Sequence, residues 1–141
     1  MSIPQKKFRE IVVQLLFAME IGAIDEKEIF PLLLKEIKIT KKEAISAINA
    51  MKRVWEKKDE IDVLISKISE SYQLNRIQKM DLSILREAIY EMLYEKIDAK
   101  IVISEAIRLC TKFSTPEAGA FINAILDALY KNSLNVDSSP L

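Results

Sequence analysis

Between Asp98 and Leu129 the apolar residues form two helical stripes joined by a break long enough only for a tight turn. Val102, Ala106, Leu109 and Phe113 are spaced four, three and four apart, which puts them on one seam of a helix. Lys100, Ser104, Arg108 and Thr111 fall on the opposite side. Ser114-Thr115-Pro116-Glu117 then reads as a helix start, with a hydroxyl, a proline at the first helical position and an early acid. The following helix gathers Ala118, Phe121, Ile122, Ile125, Leu126 and Leu129 on one face, with Asn123, Asp127 and Tyr130 on the other. A hairpin this apolar on its inner side is unstable alone, so the remaining chain must cover it.

The remaining chain has the means to do so. Only two of its 141 residues are glycine and four are proline, and the apolar spacing is helical almost throughout. The expected fold is all-α: a compact helical domain of about six to seven helices over residues 1–132, with residues 133–141 as a disordered tail. No apolar run approaches the roughly 20 residues that span a bilayer. No long apolar core follows the basic N-terminal residues, so no secretory signal is expected.

The first helix is expected from about Pro4 to Ile21, closed by Gly22, with Phe8, Ile11, Val12, Leu15, Leu16 and Met19 as its buried stripe. At roughly 100° per residue the outer arc holds, in angular order, Arg9, Val13, Lys6, Phe17, Glu10, Gln14 and Lys7. Phe17 thus lies amid a polar, mostly basic face. A ring flanked by Lys and Arg can stack on a nucleobase while the cations neutralise phosphates. Alternatively, Phe17 and Val13 touch a neighbouring helix and the lysines are ordinary solvated charge. Both readings stand at this point.

A second helix is expected around Glu26 to Glu36, opened by Asp25 or its neighbours and kinked or divided in two by Pro31. Thr40 and Glu43 have the spacing of a capping box. From there one long helix is expected to about Ser69, a rod of roughly 45 Å. Its seam, Ala47, Met51, Val54, Lys58, Ile61, Ile65 and Ile68, is polar only at Lys58, whose stem can lie along apolar surface. A seam this long also suits a coiled-coil dimer, but the shorter helices need a surface to pack on, which favours intramolecular packing. After a polar connection from Ser71 to Arg76, a helix is expected over about Ile77 to Glu95, with Met80, Ile84, Leu85, Ala88, Ile89, Met92 and Leu93 apolar and Arg86 in a structural ion pair.

The chemistry on offer is narrow. With no histidine, His-based general acid–base catalysis, Ser-His-Asp triads and His metal sites are excluded. The single cysteine, Cys110, rules out an intrachain disulfide and is expected to be a small buried thiol rather than a reactive one. No glycine-rich phosphate loop, HExxH or CxxC occurs. No catalytic residue, cofactor or metal is therefore expected. Formal net charge is zero, so any nucleic-acid binding must come from a local basic patch.

Taken in order, several stretches resemble the NusB family of bacterial transcription antitermination factors. They are Lys6-Lys7-Phe8-Arg9-Glu10, Val13-Gln14-Leu15-Leu16-Phe17, Ile84-Leu85-Arg86-Glu87-Ala88-Ile89-Tyr90-Glu91, Lys100-Ile101-Val102-Ile103-Ser104-Glu105-Ala106 with Lys112-Phe113, and Phe121-Ile122-Asn123-Ala124-Ile125-Leu126-Asp127. The likeness runs from Gln5 to about Leu129. It implies two packed helical subdomains in a cytoplasmic, non-enzymatic adaptor. The implied partners are boxA-type RNA and NusE, a protein that doubles as a small-subunit ribosomal protein, in an antitermination complex with RNA polymerase that supports rRNA operon transcription.

The resemblance also implies roles for particular residues. Its basic N-terminal helix falls on Lys6, Lys7 and Arg9, with Gln14 on the same arc, and its RNA-facing aromatic falls on Phe17, which favours the nucleic-acid reading of that ring. Its last-helix aromatic and the acid before it fall on Phe121 and Glu117. Asp81 and Arg86 are expected to help dock NusE. The chain departs from the family pattern at Gln5, Lys6 and Lys7, where arginines are usual, at Ala120, where a lysine is common, and at Ser114, Ala118 and Ala124. Two other readings remain: a helical interaction protein of this fold without RNA binding, and an accessory domain of an RNA methyltransferase. The latter would need a separate catalytic subunit, since the chain has no glycine-rich cofactor domain and no second cysteine.

Overall fold

A computed structural model describes residues 3–22, 25–69 and 73–138, with the backbone alone described for residues 26 and 133–138. Seven α-helices follow one another among them: α1 (Gln5–Ile21), α2 (Glu26–Leu32), α3 (Lys41–Glu56), α4 (Lys58–Ile68), α5 (Lys79–Leu93), α6 (Ala99–Phe113) and α7 (Pro116–Ser138). The start signals act as their chemistry requires. Asp25, Thr40, Asp98 and Thr115 each accept a backbone N–H of the helix they open, and Thr40 and Glu43 complete a reciprocal capping box at 3.1 and 2.8 Å. Gly22 ends α1 in the left-handed region at φ 67°, where a side chain would be strained.

The helices enclose two hydrophobic cores. One unites Ile11, Val12, Leu15 and Leu16 of α1 with Ile29, Leu33 and the Ala44, Ala47, Ile48, Met51 and Val54 face of α3. The other unites α5, α6 and α7 with Ile61 and Ile65 of α4. Val13 of α1 belongs to this second core, and Tyr90 of α5 packs against both. Helix α1 is therefore covered on two sides, and α5 is buried nearly all round from Asp81 to Ile89.

This division explains where the structure departs from expectation. The rod foreseen from Thr40 to Ser69 breaks at Lys57 (φ −100°, ψ 5°), whose N–H turns back to Val54 O at 3.0 Å. Its unbroken seam is shared between the cores: Ala47, Met51 and Val54 fill the first, and Ile61 and Ile65 fill the second. Lys58, the polar member of that seam, places its ammonium 5.1 Å from the Trp55 ring centre. Pro31 lies inside α2, and the chain then widens into a π-helical turn, Leu33–Ile37, ended by Lys38 in the left-handed region. The expected tail at 133–141 is helical backbone as far as Ser138; residues 139–141 lie outside the described residues, as do residues 71 and 72 of the polar connection.

Candidate nucleic-acid interface

The N-terminal helix carries most of the expected site, and the structure divides it. Lys6, Lys7 and Gln14 are exposed. Phe17 is half-buried and joins neither core. Neither lysine has an ion pair among the described residues, so both charges are available to a ligand.

Arg9 departs from the expected solvent face. It is 7 % exposed, and its Nε donates to both oxygens of Glu91 at 2.9 and 3.1 Å while Nη1 donates to Glu105 at 3.1 Å. Glu10 and Val13, placed on the same outer arc, are buried too. A single apolar stripe implies one covered side, whereas α5 and α6 cover a second. Glu10 accepts from Arg108 and Lys112 of α6, both at 2.8 Å. Arg108 also reaches the Lys6 carbonyl at 3.3 Å, so α6 straps the turn bearing the two free lysines. The Lys112 hydrogen bond, helped by Arg108 against the cost of burial, holds the Glu10 carboxyl below the usual range. Burial raises the Glu105 carboxyl, but Arg108 and Arg9 outweigh it and the net shift is downward.

Asp81 and Arg86, the expected docking residues, are both buried. Arg86 is 3 % exposed and forms a fork with Asp62 of α4 at 2.9 and 2.7 Å; its Nη1 lies 3.3 Å from Glu20 of α1. This is the structural ion pair expected of it; the fork engages Nε and Nη2, while Nη1 is buried beside Glu20 without a hydrogen bond. Asp81 is 7 % exposed and accepts the Ser114 hydroxyl at 2.6 Å. Its remaining edge lines a cavity of about 220 Å³ with Glu117, Phe121, Arg76, Ile77 and Gln78. Glu117 and Phe121 of α7 are thus brought beside Asp81 of α5, with Phe121 also packed on the second core.

The sequence pattern does not show that Arg76 and Gln78 line the cavity beside Phe121, or that Arg108 and Lys112 clamp α1. For the clamp, Glu105 and Arg108 stood at i, i+3 on a helix, and their pairing is present at 2.9 Å. The cross-helix partner, Glu10, had no local signal. Among the described residues no group of His, Cys, Asp or Glu is arranged to hold a metal ion, and no helix is long and apolar enough to cross a membrane.

Seven helices around two cores, with free cations and a ring that joins neither core on one helix, define a helical binding protein. The family model described as "NusB family" matches residues 6–131. The transcription antitermination protein NusB of Chlamydia pneumoniae is 35% identical over 139 residues, covering 97% of this chain and 87% of the relative. That of Nitratiruptor sp. is 37% identical over 127 residues, covering 90% of this chain and 91% of its own. The solved structure of T. maritima NusB superposes with a TM-score of 0.79 at 34% identity, covering 93% of each chain. The chain belongs to the NusB family. It is a transcription antitermination factor, not an enzyme, and its role lies with RNA and the transcription machinery.

Proposed function

We propose that this protein binds boxA-type RNA together with NusE, as an adaptor of the antitermination complex with RNA polymerase in the cytoplasm. The observation that carries this reading is Phe17. The ring is half-exposed and outside both cores, on the helix that also presents Lys6, Lys7 and Gln14. An aromatic ring with no place in either core, beside unpaired cations, suits a stacked base with neighbouring phosphates. Glu117 and Phe121 form the second group of contacts, at the mouth of the cavity they share with Asp81. Arg9 and Arg86 support the surface from beneath by fixing α1 on α5, and neither contacts RNA or NusE.

Net charge zero and two free N-terminal lysines give limited attraction for RNA, so a second protein beside α1 would add affinity by extending the surface. Linkage makes the effect reciprocal: RNA must strengthen binding of NusE by the same factor. The test is a set of titrations of this protein with boxA-type RNA, with NusE and with both, against a scrambled RNA. Tighter binding of boxA-type RNA in saturating NusE is expected. Identical RNA affinity with and without NusE would remove the cooperative mechanism, and equal affinity for the scrambled RNA would remove boxA recognition.

A further inference from the structure

The two groups of candidate contacts, on α1 and on α7, are joined by the turn before α5. Leu74–Arg76 is a single 3₁₀ turn, closed by Arg76 N–H to Gln73 O at 2.9 Å and Ile77 N–H to Leu74 O at 3.1 Å. Ile77 is buried in the second core and pins the turn, while Arg76, Gln78 and Lys79 stay exposed. A cavity opens on each side of it. The smaller, about 220 Å³, reaches Glu117 and Phe121. The larger, about 670 Å³, reaches Lys79 and Glu20. Arg76, Ile77 and Gln78 line both. Glu20 lies three residues beyond Phe17 on the same arc of α1, so the second cavity borders the Phe17 face.

The charges along this saddle are unequal in availability. Glu20 and Asp62, the acids of the larger cavity, are held by Arg86, and Asp81 holds the Ser114 hydroxyl. Arg76 and Lys79 have no ion pair among the described residues. Glu117 is the exposed acid that remains, at the Phe121 end. Two free cations, Arg76 on the pinned turn and Lys79 at the start of α5, with Phe17 to one side and Phe121 to the other, suit a strand whose phosphates cross this segment while bases lie toward the rings.

We propose that Arg76 and Lys79 form a phosphate saddle over which single-stranded RNA passes between the Phe17 group and the Phe121 group. This rests on the RNA-binding reading above and extends it to a segment outside both groups. Arg76 contributes a two-pronged phosphate contact and Lys79 a point charge.

The experiment is a titration of boxA-type RNA, at salt concentrations from about 50 to about 200 mM, with three paired variants. These are Arg76→Gln with Lys79→Gln, Lys6→Gln with Lys7→Gln, and the exposed pair Lys27→Gln with Lys35→Gln, which makes the same change in net charge elsewhere. Removing one cation from a phosphate of a single strand should flatten the salt slope by about 0.7 and weaken binding roughly fivefold near 0.1 M salt. The saddle pair is expected to lose about 25-fold and about 1.4 units of slope, and the Lys27/Lys35 pair far less. Lys79→Gln alone, an exposed change that leaves the turn's backbone bonds intact, is expected to lose about fivefold and settles the matter if the double variant melts early. If the saddle pair matches the Lys27/Lys35 pair while the Lys6/Lys7 pair weakens binding, the saddle is wrong and the RNA reading stands. If none of the pairs alters RNA binding, the RNA reading itself fails. If the saddle pair weakens only NusE binding, the groove is a protein site and the proposal is overturned.

Discussion

Arg9 and Glu91, 82 residues apart, meet in a buried pair in which Nε spans both carboxylate oxygens at 2.9 and 3.1 Å and Nη2 closes to 2.8 Å. The same guanidinium reaches Glu105 at 3.1 Å, so one side chain ties α1 to α5 and α6 at once. Eleven residues further along α1, Glu20 meets Arg86 of α5, which also grips Asp62 of α4. The helix that presents Phe17 is thus clamped on both sides of that ring by charges pointing inward.

Removing one partner of such a buried pair leaves the others desolvated and unpaired, typically at a cost of about 3–5 kcal/mol. Arg9→Ala is expected to fall in that range by urea unfolding, because buried Glu91 loses its cation and Glu105 keeps only Arg108. Lys6→Ala and Lys7→Ala, exposed and unpaired, are expected to unfold like the parent protein. An Arg9→Ala protein of unchanged stability but weakened RNA binding would return Arg9 to the solvent face.

Glu87 sits beneath this clamp, 7 % exposed, with one carboxylate oxygen lacking a hydrogen-bond partner. Burial, and after it the nearby Glu91 and Glu95 charges, push its carboxyl well above the ordinary range, with Arg9 opposing. A raised folded-state value means that its contribution to stability is full below about pH 4.5 and is lost as pH rises through the folded value. Glu87→Gln, which imitates the protonated form, is expected to match the parent in acid and to become the more stable of the two as pH rises toward neutrality. Urea midpoints measured at a series of pH values check this; a Gln variant that is less stable at neutral pH would show that the carboxylate is needed as an ion.

Cys110 is fully buried, and burial followed by the Asp81 charge pushes its thiol up to about 12. An aromatic disulfide reagent at neutral pH is expected to leave the native protein untouched and to modify it stoichiometrically in denaturant. Cys110→Ser would bury a hydroxyl in the second core, at about 1–3 kcal/mol. Rapid native-state labelling would place the thiol at the surface.

The caps and apolar stripes were legible because a helix writes them locally: Thr40 and Glu43, or Val102, Ala106 and Leu109, lie within a few residues of one another. What the pattern hides is how many sides of a helix are covered. Arg9 and Val13 looked solvent-facing because one apolar stripe was already accounted for, and the second cover comes from Glu91 and Glu105, more than eighty residues away. The break at Lys57 is hidden for the same reason, since an unbroken seam does not say that its two halves serve different cores. The angle puts Phe17 amid a polar face without deciding what it touches, and it joins neither core, whereas Asp81, Glu117 and Phe121 are brought to one cavity only by the packing of α7 on α5.

Phe17 therefore separates two kinds of loss. Because the ring joins neither core, Phe17→Ala is expected to leave the urea midpoint close to that of the parent. Its effect should fall on RNA instead: the loss of one base stack, about 1–3 kcal/mol of binding, with the salt slope unchanged because no charge is removed from a phosphate. Lys6→Ala with Lys7→Ala should do the reverse, weakening binding together with a flatter slope, since counterion release is what those charges contribute. Phe17→Leu keeps apolar bulk but lacks a π face, and is expected to bind RNA as weakly as the alanine variant. If Phe17→Ala instead unfolds the protein at much lower urea while Phe17→Leu restores both stability and RNA affinity, the ring acts through packing, and the stacking role passes to Phe121 or to no residue of this surface.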